Sequence, residues 1–171
     1  MRVIDNFLPS YQWKQVEGLL MGDNIPWYYN DSIIAGPKKR HKFQFTHTFY
    51  NVIQEPYRKP STEGNRFIVD IFCSILGITD LYRIKANLLP RTVFHRKGGY
   101  HIDTSDTFVE RCKTSIFYIN TNNGWTHIKG HGKVKSVANR LVTFDSNLYH
   151  TGYTCTDENI RVLINLNYES N

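Results

Sequence analysis

Residues 111–120 read Arg111-Cys112-Lys113-Thr114-Ser115-Ile116-Phe117-Tyr118-Ile119-Asn120, and Asn122-Asn123-Gly124 follow shortly after. β-Branched and aromatic side chains fill the run from 113 to 120, which is strand composition, and the Asn-Gly turn after it predicts a hairpin. On the N-terminal side, 82–89 reads as a strand up to Pro90, and 92–94 and 100–103 flank a Gly98-Gly99 turn. On the C-terminal side, 133–137, 141–144, 148–153 and 161–168 follow at similar spacing. Many short strands at regular intervals predict a sandwich or a jelly-roll barrel.

Two helical patterns precede the strands. Ser10 is placed to cap a helix running to about Met21, with Trp13, Val16, Leu19 and Leu20 on one stripe and Gly22 as its stop. A second begins near Ser61 or Thr62, carries Phe67, Ile68, Ile71, Phe72, Ile75 and Leu76 on a broad apolar face, and closes at Gly77. Early helices before a β-rich remainder imply an α+β fold, a jelly-roll core with the N-terminal helices packed on one sheet. No repeat, low-complexity tract or composition break divides the chain, so 1–171 reads as a single domain.

Composition narrows the class. Hydrophobic residues at 40% and charged residues at 21% are those of an ordinary globular protein, not a disordered tail. No stretch is apolar enough to span a bilayer, and Met1-Arg2-Val3-Ile4-Asp5-Asn6 is too polar for the apolar core of a signal peptide. Cys73, Cys112 and Cys155 are widely separated and odd in number, which argues against a disulfide framework and for a reducing cytoplasm. The net charge of +6 raises the odds of an anionic partner. Part of it sits in Pro37-Lys38-Lys39-Arg40-His41-Lys42, which reads first as a solvated loop and second as a surface steering nucleic acid or an acidic protein.

Tyr100-His101-Ile102-Asp103 carries the chemistry. On a strand, positions i and i+2 point the same way, so His101 and Asp103 reach the barrel interior together while Ile102 packs opposite. His150, in Leu148-Tyr149-His150-Thr151-Gly152, is the best third ligand from another strand. Two imidazoles and one carboxylate on one face of a metal leave positions open for a co-substrate and oxygen, an arrangement suited to non-haem Fe(II). Eleven residues after His150, Arg161 opens the apolar run Val162-Leu163-Ile164. An arginine facing a barrel interior is costly unless a carboxylate meets it, and the distal carboxylate of 2-oxoglutarate is the matching partner.

These residues resemble the 2-oxoglutarate/Fe(II) oxygenase superfamily and, within it, the prolyl 4-hydroxylase-like branch, over most of the chain. Val3-Ile4-Asp5-Asn6-Phe7-Leu8-Pro9 looks like the opening of that domain; His101-Ile102-Asp103, His150 and Arg161 stand in the family's order. The resemblance implies a double-stranded β-helix core, with Fe(II) on His101, Asp103 and His150. It further implies 2-oxoglutarate on Arg161 and Tyr118, with Thr114 lining the same pocket and Asn87 near the co-substrate. The chain departs from the pattern at Leu88-Leu89-Pro90, where many members carry a tyrosine. Implied too are O2 as second co-substrate, succinate and carbon dioxide as co-products, and ascorbate as a reductant.

Three readings of the substrate follow. The first is a prolyl residue of a protein or peptide, from the likeness of the 111–120 strand; the second is nucleic acid, from the basic charge; the third is a catalytically silent binding barrel. With no added targeting domain in the chain, substrate choice falls to loops at the barrel mouth such as 29–48 and 104–111. Asn165 and Asn167 share Arg161's strand face and would meet either the substrate or neighbouring backbone. Trp27-Tyr28-Tyr29 and Phe43-Gln44-Phe45 would frame an entrance or pack a sheet, His127 and His131 read as loop residues, and His41, His47 and His95 take no role.

Overall fold

Strand alternation sorts the central residues onto two cores. In a computed structural model that describes residues 1–33, 43–52, 62–103 and 111–170, ten strands and two helices are assigned. In chain order they are β1 (Arg2–Ile4), α1 (Ser10–Met21), β2 (Tyr28–Asn30), β3 (Gln44–Asn51), α2 (Glu63–Leu76), β4 (Ile78–Pro90), β5 (Lys113–Tyr118), β6 (Trp125–Ile128), β7 (Gly132–Lys135), β8 (Arg140–Asp145), β9 (His150–Tyr153) and β10 (Ile160–Ser170). A seven-stranded antiparallel sheet runs β1-β8-β5-β10-β4-β3-β2, and a three-stranded sheet, β7-β6-β9, faces it. This is the α+β jelly roll that the strand spacing predicts.

On β10, Val162, Ile164 and Leu166 point toward the helices and join Val16, Leu20, Ile68, Phe72 and Phe117 in the larger core. Phe117 is its aromatic centre, with edge contacts to Phe7, Trp13 and Phe72. The opposite face of the large sheet looks into the space between the sheets. Ile116, Tyr118, Val142 and Phe144 pack there against Ile128 and Val134 of the small sheet. Strands buried on both faces read as nearly continuous apolar runs, which is why β5 and β10 are so strong in sequence.

Several local expectations change. Ser10 is the first helical residue rather than the cap: Pro9 holds that position without a side-chain hydrogen bond. Thr62 does cap α2, its hydroxyl accepting from the Asn65 N–H, and left-handed Gly77 ends the helix. The Asn122-Asn123-Gly124 turn does not make a hairpin, because β5 and β6 lie in different sheets. It is a sheet-switching corner, tied by the Gly124 N–H donating to Asn122 Oδ1 and by Asn122 Nδ2 donating to the Asn120 carbonyl. Segments 92–94 and 100–103 form no strand; single bridges, Lys97 with Tyr153 and His101 with His150, hold this region to β9. The basic run 37–42 lies outside the described residues.

Asn139, at φ 58°, locks the N-terminus onto the barrel: the Leu8 N–H donates to its Oδ1 at 2.8 Å, and its Nδ2 donates to the Leu8 carbonyl at 2.9 Å. Asn139→Ala is expected to cost about 2–3 kcal/mol of unfolding free energy, from two hydrogen bonds near 1 kcal/mol each plus the left-handed backbone. Asn139→Gly should recover the backbone part alone. Urea denaturation reads both, and an unchanged midpoint for the Ala variant would contradict this account.

Candidate metal centre

His101 and His150 are brought together by backbone, not by a regular ladder. Each donates its N–H to the other's carbonyl, at 3.1 and 3.0 Å, and the rings stand 4.6 Å apart. His150 opens β9, whereas His101 lies in the irregular segment that enters the mouth of the barrel. Asp103, two residues on, turns back to the same point. One ligand atom from each of His101, Asp103 and His150 falls within a cluster whose members all lie within 4.8 Å of one another.

The donor chemistry suits a divalent metal. His101 Nδ1 lies 3.1 Å from the Gly99 carbonyl and His150 Nδ1 lies 3.2 Å from that of Leu148. Those contacts place a proton on each Nδ1, so that a metal would bind through the Nε2 atoms and displace the proton that His150 shares with Asp103. The Nε2 atoms sit 3.7 and 3.4 Å from the Asp103 oxygens. Burial pushes Asp103 toward its neutral form, but the His150 hydrogen bond and the Arg83 charge outweigh it and hold the carboxyl well below the usual range. Burial, with Asp103 opposing, lowers His101; at His150 burial is overcome by Asp103 and the ring is raised.

Asp103 rests on a polar bed from β4 and β10. Arg83 Nη2 donates to Oδ1 at 3.2 Å, while Asn165 Nδ2 and Asn167 Nδ2 donate to Oδ2 at 2.9 and 3.3 Å. Arg83 also donates to Asn167 Oδ1 through Nε and Nη2, and Asn167 Nδ2 reaches Thr114 Oγ1. Asn165 and Asn167 therefore face the site as their register requires, and what they hold is the carboxylate.

Across the same cavity, of about 590 Å³, lies Arg161. Its side chain is fully buried, with Nε donating to Ser136 Oγ at 2.7 Å and Nη2 to Thr126 Oγ1 at 3.1 Å. Nη1 has no hydrogen-bond partner, and no carboxylate pairs with the guanidinium among the described residues. Tyr118 is buried beneath it, its ring 5.5 Å from the guanidinium carbon and its hydroxyl donating to Thr126 at 2.9 Å. Gly124 makes the room, since a Cβ there would come within 2.7 Å of Arg161 Cδ.

The residues expected from sequence separate into two groups, and the site adds others. His101, Asp103, His150, Arg161 and Asn87 line the cavity. Tyr118 and Thr114 lie behind it, Thr114 Oγ1 meeting Ser146 Oγ at 2.9 Å. Arg83, Lys85, Thr126 and Ser136 were not anticipated, although alternation in Arg83-Ile84-Lys85-Ala86-Asn87 is the mark of a strand with one polar face. His127 belongs to β6 rather than a loop and lies 2.7 Å from the Tyr100 hydroxyl. His47 is a buried structural residue between the Pro26 carbonyl and Asn65.

Comparison with solved structures finds the same fold. The chain superposes over 99% of its length on an oxidoreductase of the 2OG-Fe(II) oxygenase family from Burkholderia pseudomallei, covering 86% of that chain at TM-score 0.69 and 9% identity. It matches a Pseudomonas putida prolyl-4-hydroxylase over 99% of its own and 92% of that chain (TM-score 0.65, 13% identity). A Trichoplax adhaerens prolyl hydroxylase, solved with a hypoxia inducible factor peptide fragment, matches over 99% and 83% (TM-score 0.63, 16% identity). No family model and no curated protein matches the sequence itself. The chain has the fold of the 2-oxoglutarate/Fe(II) oxygenases, and prolyl hydroxylases are among the structures that share it.

Removing a ligand should exceed the roughly 10- to 100-fold loss of metal affinity typical of an outer-shell change. Calorimetric titration with Mn(II) is expected to give one site in the wild type and a loss beyond that range in Asp103→Ala. Equal affinity in the two proteins would remove the triad as a metal site.

Proposed function

We propose that the protein is an Fe(II)- and 2-oxoglutarate-dependent dioxygenase that hydroxylates a C–H bond of a protein or peptide, with a prolyl residue as the favoured target. The carrying observation is Arg161, a buried guanidinium whose Nη1 has no partner among the described residues, in the lining of the cavity that also holds His101, Asp103 and His150. A buried cation without a counter-ion is expensive, and a ligand carboxylate of fitting length relieves the cost.

His101, Asp103 and His150 would hold Fe(II) through two neutral imidazoles and one anion. Arg161, seated on Ser136 and Thr126 with Tyr118 beneath, would anchor the distal carboxylate of 2-oxoglutarate, and Asn87 would flank it. When bound, the metal and co-substrate supply oxidative decarboxylation to succinate and carbon dioxide, with one oxygen atom of O2 going to the substrate carbon. Arg83, Asn165 and Asn167 keep Asp103 anionic and aimed. The peptide reading draws on the prolyl hydroxylase structures that share the fold, one of them solved with a peptide. Three free cysteines among the described residues suit a reducing cytoplasm, and no helix among those residues is long and apolar enough to cross a membrane.

Anaerobic Fe(II) plus 2-oxoglutarate should give the weak visible charge-transfer band in the wild type and lose it in His101→Ala. Its absence from a folded, metal-loaded wild type would overturn the proposal in favour of a silent binding barrel. 2-Oxoglutarate at 100 times its Kd should stabilise the metal-loaded wild type by about 2.7 kcal/mol by mass action, while Arg161→Met should lose most of that gain at the same ligand concentration. Thermal denaturation with and without the diacid checks this, and an equal gain in both proteins would take the anchoring role from Arg161.

A nucleic-acid substrate is the second reading. Lys97 and Lys133 stand 3.9 and 3.7 Å over the rings of Tyr100 and Trp125, on a basic, aromatic face beside the mouth. Retention of DNA or RNA that falls steeply with salt would favour it.

A further inference from the structure

One cation in the cavity has no task in the scheme above. Lys85 points from β4 into the same space as the metal triad and also lines an adjoining polar groove of about 240 Å³, with Tyr28, Asn30, Thr46 and Thr48. Its ammonium has no hydrogen-bond or ion-pair partner among the described residues, whereas Arg83 two residues earlier is committed to Asp103 and Asn167. Burial and the neighbouring Arg83 charge bring the Lys85 amine down to about 8, with Asp103 opposing.

Directly across the strand pair from Lys85 is Asn165. Its Nδ2 donates to Asp103, which fixes the orientation of the amide, since a carboxylate can only accept. The other end, Asn165 Oδ1, is buried and has no donor. An unpaired donor cation and an unpaired acceptor thus stand side by side next to the metal triad.

In the reading above, the co-substrate has one carboxylate on Arg161 and its keto-acid end at the metal triad, which leaves none for Lys85. A diacid anchored on Arg161 leaves Lys85 for a second anion.

We propose that Lys85 and Asn165 form a substrate subsite for an acidic amino-acid unit, its carboxylate on the Lys85 ammonium and its amide N–H on Asn165 Oδ1. The proposal rests on the oxygenase reading and narrows its substrate to one with an acidic residue beside the hydroxylated carbon. A peptide supplies both partners within a few bonds. A DNA backbone offers acceptors to Lys85 but no donor to Asn165 Oδ1, whereas an acidic amino-acid unit carries both groups within a few bonds. The groove past Thr46 and Thr48 gives the flanking chain a polar path out.

The test is calorimetry on protein loaded anaerobically with Fe(II) and 2-oxoglutarate, using N-acetyl-aspartate N-methylamide as probe. The wild type is expected to bind it. Lys85→Met, the neutral asparagine analogue and the O-acetylmalate analogue, which lacks the N–H, should each weaken binding at least about tenfold, the scale of a hydrogen bond to a charged group. Lys85→Arg should stay within a few-fold of wild type, and the charge-transfer band should persist in both variants. Equal binding by wild type and Lys85→Met would overturn the subsite. So would no binding of the aspartate probe to a wild type that shows the band, or binding of a short single-stranded oligonucleotide in its place. Loss of the band from the wild type would fail the oxygenase reading instead, and the same titration of the metal-free protein would still read the subsite.

Discussion

A guanidinium sealed between two sheets, with no carboxylate opposite it among the described residues, is the constraint around which this molecule is built. Arg161 has two hydroxyl acceptors and one orphaned Nη1. Protein interiors tolerate such a charge only where a ligand completes it or the scaffold holds it in place. Here the scaffold does so with ordinary parts. Gly124 leaves space for the side chain, Ser136 and Thr126 receive two of its donors, and the Tyr118 ring lies under the plane. Tyr118, Gly124 and Thr126 flank the corner at which the chain leaves the large sheet for the small one, and Ser136, just past β7, is held to that corner by its N–H donating to the Gly124 carbonyl.

The same strand supplies the other half of the site. β10 presents Val162, Ile164 and Leu166 to the helix-side core, while Arg161, Leu163, Asn165 and Asn167 face the space between the sheets. Packing on one face makes the strand rigid, and that rigidity fixes the polar face to which Asp103 is tied. Four contacts from Arg83, Asn165, Asn167 and His150 converge on one carboxylate. Strand rigidity is thereby passed to a ligand that itself sits in an irregular segment.

How far the site was legible follows from what each signal depends on. The ligand pair His101 and Asp103 was visible from i, i+2 spacing, although no strand forms there; the spacing survived because a single bridge to His150 holds the segment extended enough. Asn122-Asn123-Gly124 looked like a hairpin because turn chemistry is local, while the choice of which strand pairs with which is not. Ser10 lost its capping place to Pro9, which moves the start of the helix by one residue and leaves its end at Met21. Arg83 and Lys85 were passed over, since a polar alternation marks a face but not what the face looks at.

From sequence alone came the two helices, the main strands of the C-terminal half and the identity of the metal-competent residues, because these rest on periodicity and side-chain chemistry that neighbours in the chain already express. Tertiary structure decided that Arg161 lacks a counter-ion among the described residues, that Asn165 and Asn167 hold Asp103, and that Lys85 stands beside Asn165 with no partner among those residues. Each of those facts is a distance between strands far apart in the chain, set by antiparallel register across β4, β10 and the small sheet, and no local pattern encodes register across such separations.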